Sequence, residues 1–287
     1  MKRVFGFIGM ILLILFSTGC SLDFSFLDLL EEDRTTLVPT IVNGTINFEE
    51  TDYSSFAIYH SDTYDLDNVH KYNDILLETK EHIKRANVKV VMVDYSNLLP
   101  WETESDGNIV ASGSGVIFLE DETHYYTLTN YHVIDSFLSG AVAEIKTYSD
   151  TEYFDAEIVT YDNQLDLAVL KFTKADRTDV SIINIFNRLY YQFNPGEIVL
   201  AIGNPSSLEN NVTFGEFKSM QNLEDVSFRV IYHDASISNG SSGGALVDID
   251  GNLLGINTWG IEDSEDFSFA IPNYIIYLFL INNGILD

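Results

Sequence analysis

From Gly115 to Ile271 the chain is a succession of short apolar runs broken by turn residues. The runs are Gly115–Leu119, Tyr125–Thr129, Ala141–Thr147, Phe154–Tyr161, Leu167–Phe172, Ile198–Ile202, Asn211–Phe217, Phe228–His233, Ala245–Asp248, Leu253–Thr258 and Phe267–Ile271. Segments of this length and spacing predict strands of an antiparallel sandwich or barrel. Almost no helical periodicity lies between them, which excludes a series of βαβ units. The β-branched run Val88–Val93 predicts a first buried strand. Before it, Ile75, Leu76, Thr79 and Ile83 recur at helical spacing and predict a helix over Asp74–Arg85. Asn184–Asn194 reads as a loop joining two halves, and Pro272–Ile281 as a short closing helix, since proline suits a first helical turn. No period of a solenoid repeat is present.

Hydrophobic residues make up 46% of the 287, enough for a substantial core. The formal charge of −29 excludes non-specific nucleic-acid binding, which needs Lys and Arg to displace phosphate counterions. Cys20 is the only cysteine, so a disulfide within the chain is excluded. Its context is informative. Lys2 and Arg3 precede the apolar run Val4–Phe16, and Ser17-Thr18-Gly19 leads into Cys20. This pattern reads as a secretory signal with small residues at its cleavage site. Ser21 to about Asn68 reads as a spacer, with a possible hairpin at Asn43-Gly44.

Three segments carry candidate chemistry. Asn239-Gly240-Ser241-Ser242-Gly243-Gly244 is a glycine-rich turn with serines inside it. A serine hydroxyl needs a base to become a nucleophile, and the oxyanion it generates needs backbone N–H donors. Thr129-Asn130-Tyr131-His132-Val133-Ile134 puts a histidine at the end of a predicted strand. Imidazole titrates near neutrality and so suits general-base work. Leu165-Asp166-Leu167-Ala168-Val169-Leu170 opens an apolar strand with an acid, which is costly to bury without a partner. Imidazole N–H is a natural partner, because an acid there fixes the tautomer. The order His, Asp, Ser is that of chymotrypsin-type enzymes.

Nine segments in register resemble the HtrA/Deg serine proteases: Gly113–Ile117, Thr129–Ile134, Asp166–Lys171, Ala201–Pro205, Val212–Gly215, Asp234–Ile237, Gly240–Val247, Gly255–Thr258 and Phe269–Pro272. The resemblance implies an all-β, chymotrypsin-like pair of six-stranded antiparallel barrels with a short C-terminal helix. It implies a signal at 1–19, a spacer at 20–70 and a protease domain at 71–287, with barrels at about 86–183 and 195–272. It makes His132 the base, Asp166 its orienter and Ser242 the nucleophile of a serine endopeptidase. Gly240, Ser241 and Ser242 form the implied oxyanion hole. Ser236, Ile237 and the strand Ile256-Asn257-Thr258 form the implied substrate site. No metal and no cofactor are implied. The first nineteen residues resemble a bacterial lipoprotein signal, which makes Cys20 a lipidation site and anchors the protein to the outer face of a cell membrane.

Some positions depart from the family pattern. Ser241 stands where Asn is usual, Ser238 where Asn is more common, and Asn239 where Pro is more common. The sequence ends about fifteen residues after Pro272, so no PDZ domain is expected. The pocket floor, six residues before the nucleophile, is Ser236 rather than an acid, which predicts cleavage after small apolar residues such as Val, Ala or Ile. The expected partners are polypeptide substrates, unfolded or exposed at the surface, and a membrane through the lipid; oligomerisation is left open. A competing reading is a surface-anchored binding module on a protease scaffold.

Overall fold

The computed structural model describes residues 35–42, 45–52, 56–59, 69–96, 107–175, 177–205, 208–224, 226–260 and 268–286. Cys20 and the signal segment lie outside them. A hairpin comes first: β1 (Thr35–Val42) and β2 (Thr45–Asp52) pair antiparallel with Val42 opposite Thr45, about the expected Asn43-Gly44. β3 is the two-residue strand Ala57–Ile58. Helix α1 spans Val69–Ala86, longer than the spacing predicted, and carries Lys84 and Arg85 in its last turn, where cations oppose the helix dipole.

Two closed barrels follow. The first comprises β4 (Asn87–Asp94), β5 (Asn108–Glu120), β6 (His124–Thr129), β7 (Val142–Thr147), β8 (Phe154–Asp162) and β9 (Leu167–Thr173). β6 leads into the single turn α2 (Tyr131–Ile134) and a 3-10 helix at Asp135–Ser139. The loop to the second half contains β10 (Tyr191–Gln192), which pairs with β3 in parallel. The second barrel comprises β11 (Ile198–Gly203), β12 (Asn211–Asn222), β13 (Arg229–His233), β14 (Ala245–Asp248), β15 (Leu253–Gly260) and β16 (Ser268–Pro272). Within each barrel the strands are ordered first, second, third, sixth, fifth, fourth. Helix α3 (Asn273–Asn282) closes the described chain.

The near-continuous apolar runs have a simple cause. Alternate residues of a strand face opposite sides, and here both sides are buried. Ala168, Leu170 and Phe172 of β9 fill the first barrel, while Leu167 and Val169 point into a core shared by both barrels. Val199 and Ala201 of β11 fill the second barrel, while Leu200 and Ile202 join that shared core. Ile83 and Ala86 of α1 and Tyr274, Ile275, Ile276, Phe279 and Leu280 of α3 complete it. Helix α3 is apolar nearly all round because nearly all of it is buried. Each large aliphatic side chain so enclosed contributes roughly 1.5–3 kcal/mol. The shared core fixes the facing sides of the barrels, where the candidate residues meet. Among the described residues, no helix is long and apolar enough to cross a membrane.

Candidate active site

Asp166 sits in the turn between β8 and β9 with a left-handed backbone, φ 54°, and is 8% exposed. Aspartate tolerates that region better than most residues. Three donor groups converge on its carboxylate. The His132 backbone N–H lies 3.0 Å from Oδ1, the His132 Nδ1 lies 2.9 Å from Oδ2, and the Thr258 Oγ1 lies 2.6 Å from Oδ2. The Asn130 side chain donates to the Asp166 carbonyl at 2.9 Å. An ionised carboxylate only accepts, so Nδ1 carries the ring proton and the neutral ring keeps its lone pair on Nε2. The His132 side chain is 44% exposed, so that nitrogen sits on an accessible ring.

Ser242 lies in the turn before β14, on the second barrel. Its Oγ donates to the Thr258 carbonyl at 3.1 Å. Thr258 therefore touches both Asp166 and Ser242. It lies at a break in register between Asn257 and Trp259, where β15 bulges against β16.

The turn itself depends on two glycines. Gly240 has φ 100° and Gly243 φ 87°; a Cβ on Gly240 would lie 2.6 Å from the Asn204 carbonyl, and one on Gly243 2.1 Å from the Ser114 carbonyl. The Ser241 N–H donates to the Ser238 carbonyl at 2.8 Å and the Gly243 N–H to the Asn257 carbonyl at 2.8 Å. The N–H groups of Gly240 and Ser242 meet no acceptor among the described residues. Ser241 was expected to share the oxyanion hole. Its amide is already spent inside the turn, which leaves the N–H groups of Gly240 and Ser242 without an acceptor among the described residues.

The expected substrate strand is also corrected. Ile256 is paired on both sides, with Ala245 of β14 and Ile271 of β16. Asn257 has its N–H on the Gly244 carbonyl and its carbonyl on the Gly243 N–H. Neither can pair with another chain. Beyond Asn257, no described strand pairs with the side of β15 that faces away from β16. The backbone of β15 without a strand partner on that side is thus Thr258–Gly260 among the described residues, of which only Thr258 was expected.

Ser236 is exposed, with its carbonyl accepting from Thr213 Oγ1 at 2.8 Å, and Ile237 is half-buried. The neighbouring Asp234 is committed elsewhere. Burial opposes its ionisation, but the Lys218 ammonium at 2.6 Å and the Glu216 N–H at 2.6 Å outweigh it and hold the carboxyl below its ordinary range. Next to it, His233 is fully buried, and burial pushes its pKa down to about 4. Among the described residues, no cluster of three or more His, Cys, Asp or Glu has the geometry to hold a metal ion.

A family model described as a trypsin-like peptidase domain matches residues 113–256, half of the chain. Together with the relatives below, this decides the assignment. The chain belongs to the HtrA/Deg family of trypsin-like peptidases. It is 35% identical to "Serine protease HTRA1" of Xenopus tropicalis over 217 residues, which cover 74% of this chain and 43% of that protein. It is 30% identical to "Serine protease Do-like HtrA" of Lactococcus lactis over 260 residues, covering 76% of this chain and 62% of that one. The solved structure of the serine endoprotease from Yersinia pestis aligns with a TM-score of 0.58 at 32% identity, over 72% of this chain and 66% of that one. The chain thus spans about half to two thirds of the length of these relatives. Its two six-stranded barrels are the chymotrypsin-like fold that the sequence predicted.

Spacing alone missed three HtrA/Deg site residues: Ser114, Asn130 and the side-chain role of Thr258. Ser114 stands two residues after Ser112 and between two glycines, with no apolar run around it to mark its burial. A hydroxyl is costly to bury unless it is hydrogen-bonded.

Proposed function

We propose that the chain is a serine endopeptidase, with His132, Asp166 and Ser242 as its triad. The observation that carries this is Thr258, whose hydroxyl holds Asp166 while its carbonyl holds the Ser242 hydroxyl. A bond of the Ser242 hydroxyl to Thr258 is a resting arrangement. Rotation about one side-chain bond releases it towards imidazole. His132 Nε2 takes the proton as Oγ attacks the scissile carbonyl, and Asp166 stabilises the imidazolium. The negative oxygen of the tetrahedral intermediate lies against the N–H groups of Gly240 and Ser242. Imidazolium then protonates the leaving amine. Water hydrolyses the acyl-enzyme by the same route in reverse, and Ser242 is restored.

The substrate backbone lies along Thr258–Gly260 as an added strand. A pocket floored by Ser236 has no carboxylate to pair with Lys or Arg, and Asp234 is bound to Lys218. Small apolar side chains are therefore preferred. Substrates are unfolded or surface-exposed polypeptides, which can offer an extended segment. The basic start, apolar run and small residues before Cys20 support secretion and a lipid on that cysteine. A diacylglyceryl group meets the need for more than one acyl chain in stable anchoring. Mass spectrometry of the mature N-terminus tests the anchor: a chain beginning elsewhere, without lipid, removes it.

A fluorophosphonate probe tests the enzyme. Ser242 of the wild-type chain should be labelled, and labelling should fall away in His132→Ala. A chain that still degrades casein after Ser242→Ala is not a serine peptidase of this design. A binding module would bind polypeptide without labelling.

A further inference from the structure

The Ser242 turn contains Gly240, a residue with little steric preference of its own. Something else must decide where the Gly240 N–H points. Two bonds reach this turn from Ser114 of β5, in the first barrel; this serine is fully buried, and its hydroxyl also takes a bond from Asn204. Its N–H donates to the Ser242 carbonyl at 2.8 Å. Its Oγ lies 2.7 Å from the Gly240 carbonyl and 2.7 Å from the Asn204 N–H. A backbone N–H can only donate and a carbonyl can only accept. The hydroxyl must therefore accept from Asn204 and donate to Gly240, so its one proton has one direction.

The carbonyls of Gly240 and Ser242 are thus both turned towards β5. The peptide between them is fixed at its other end by the Ser241 N–H on the Ser238 carbonyl. With these groups fixed, the N–H groups of Gly240 and Ser242 are the ones left for a substrate. The Ser114 carbonyl is held in its turn by Thr129 Oγ1 at 2.7 Å, three residues before His132. Asn204 is held by the Val88 carbonyl at 2.8 Å through its side-chain N–H.

We propose that Ser114 is a positioning residue for the oxyanion donors: from the barrel of His132 and Asp166, it holds the Gly240 and Ser242 carbonyls, so the peptide bearing the Ser242 N–H is flanked by held peptides on both sides and the one bearing the Gly240 N–H adjoins a held peptide. This rests on the serine-peptidase reading. Ser114 touches no substrate. It acts by fixing donors that are used only once charge develops in the transition state, so its loss lowers kcat and leaves KM nearly alone.

The test is the full kinetics of Ser114→Ala on a peptide amide substrate, with kcat divided by the number of Ser242 sites titrated with a fluorophosphonate. That division removes any misfolded fraction. Losing the two buried hydrogen bonds of the hydroxyl and stranding both partners predicts a kcat about 10- to 100-fold lower. KM should stay within about twofold, and the pH profile should keep its inflection, because the His132–Asp166 pair is untouched. Ser114→Cys keeps the shape and supplies a weaker donor, and its kcat should fall between the other two. If Ser114→Ala does not fold, Ser114→Cys alone decides, with an unchanged kcat per site overturning the proposal. A normalised kcat equal to wild type in Ser114→Ala overturns it, as does a loss confined to KM. A wild-type chain that neither cleaves nor takes the probe overturns the peptidase reading and the role of Ser114 with it. An active wild type matched by Ser114→Ala overturns the role of Ser114 alone.

Discussion

The two barrels have the same strand order but secure their functional groups differently. The first holds His132 and Asp166 mostly by itself: two of the three donor groups on the Asp166 carboxylate belong to His132, and Asn130 fixes its backbone. The second barrel carries Ser242 on a turn whose two outward carbonyls are bonded to the first barrel. Both interiors are apolar, with Val90, Met92, Ile145 and Leu170 in the first and Val199, Phe217, Ile231 and Leu246 in the second. The second half also encloses polar groups: the Arg188 guanidinium, 0% exposed, is paired with Glu197 and with Asp248 at 2.9 Å, and the His233 ring is fully buried. The His132–Asp166 pair is thus a property of one barrel, whereas the turn of the proposed nucleophile Ser242 depends on how the two barrels dock.

The sharpest way to break this division is at its chemistry. Ser242→Ala should abolish proteolysis with little change in circular dichroism. Asp166→Asn should cost on the order of 10⁴ in kcat by imposing the wrong tautomer on His132. Asp166→Asn with full activity would remove Asp166 from the chemistry and leave His132 as the first barrel's only contribution. Next in size is the buried charge of the second half. Arg188→Met leaves Glu197 and Asp248 enclosed without a cation, which should cost about 3–5 kcal/mol in urea unfolding. An unchanged midpoint would mean that those carboxyls are neutral already.

His233 sharpens the same contrast by pH. Burial favours its neutral form, so the unfolded chain binds that proton first as pH falls below about 6.5. Stability should therefore drop by roughly 3 kcal/mol between pH 6.5 and its folded value of about 4. Carboxylates titrate in this window too, so the quantity to read is wild type minus His233→Asn. Identical slopes would refute a buried neutral His233. Thr258→Val removes the one bond to Asp166 that comes from the second barrel. Its loss should lower kcat about 10- to 100-fold, the range for a hydrogen bond to a charged group. The smallest effect is on specificity. One apolar pocket discriminates by only about 1–3 kcal/mol, so a peptide library should show a loose preference for Val, Ala and Ile. Dominant cleavage after Lys or Arg would refute the pocket floored by Ser236.

The barrels were legible because Val88–Val93 and Leu167–Phe172 are buried on both faces at all positions but Lys89 and Lys171 and so read as near-continuous apolar runs. The start of β5 was not. Gly113-Ser114-Gly115 looks like a turn, and the strand was expected to begin at Gly115, but it begins at Asn108. A Cβ on Gly113 would meet Val133 and the Ser242 carbonyl at 2.6 and 3.0 Å, so the glycine there serves a close approach and not a bend. Helix α2 and the pair β3–β10 are too short for any period to reveal. At the site, residue types and order pointed to His132, Asp166 and Ser242. The bulge at Thr258 was invisible, and without it the strand offered to substrate was read two residues too early. The Ser241 amide was misread for a similar reason, since no spacing tells which N–H in a tight turn bonds back on itself.

Closure of both barrels has a consequence for the proposed action on unfolded chains. Exposed strand edges template the stacking of further strands, which is the route to aggregates. Here every barrel strand has a neighbour on each side. Among the described residues of the barrels, a captured polypeptide would find one short stretch of unpaired strand to join, at Thr258–Gly260, and no open edge strand beside it. The protein can therefore work among aggregation-prone chains without seeding their assembly on its own barrels.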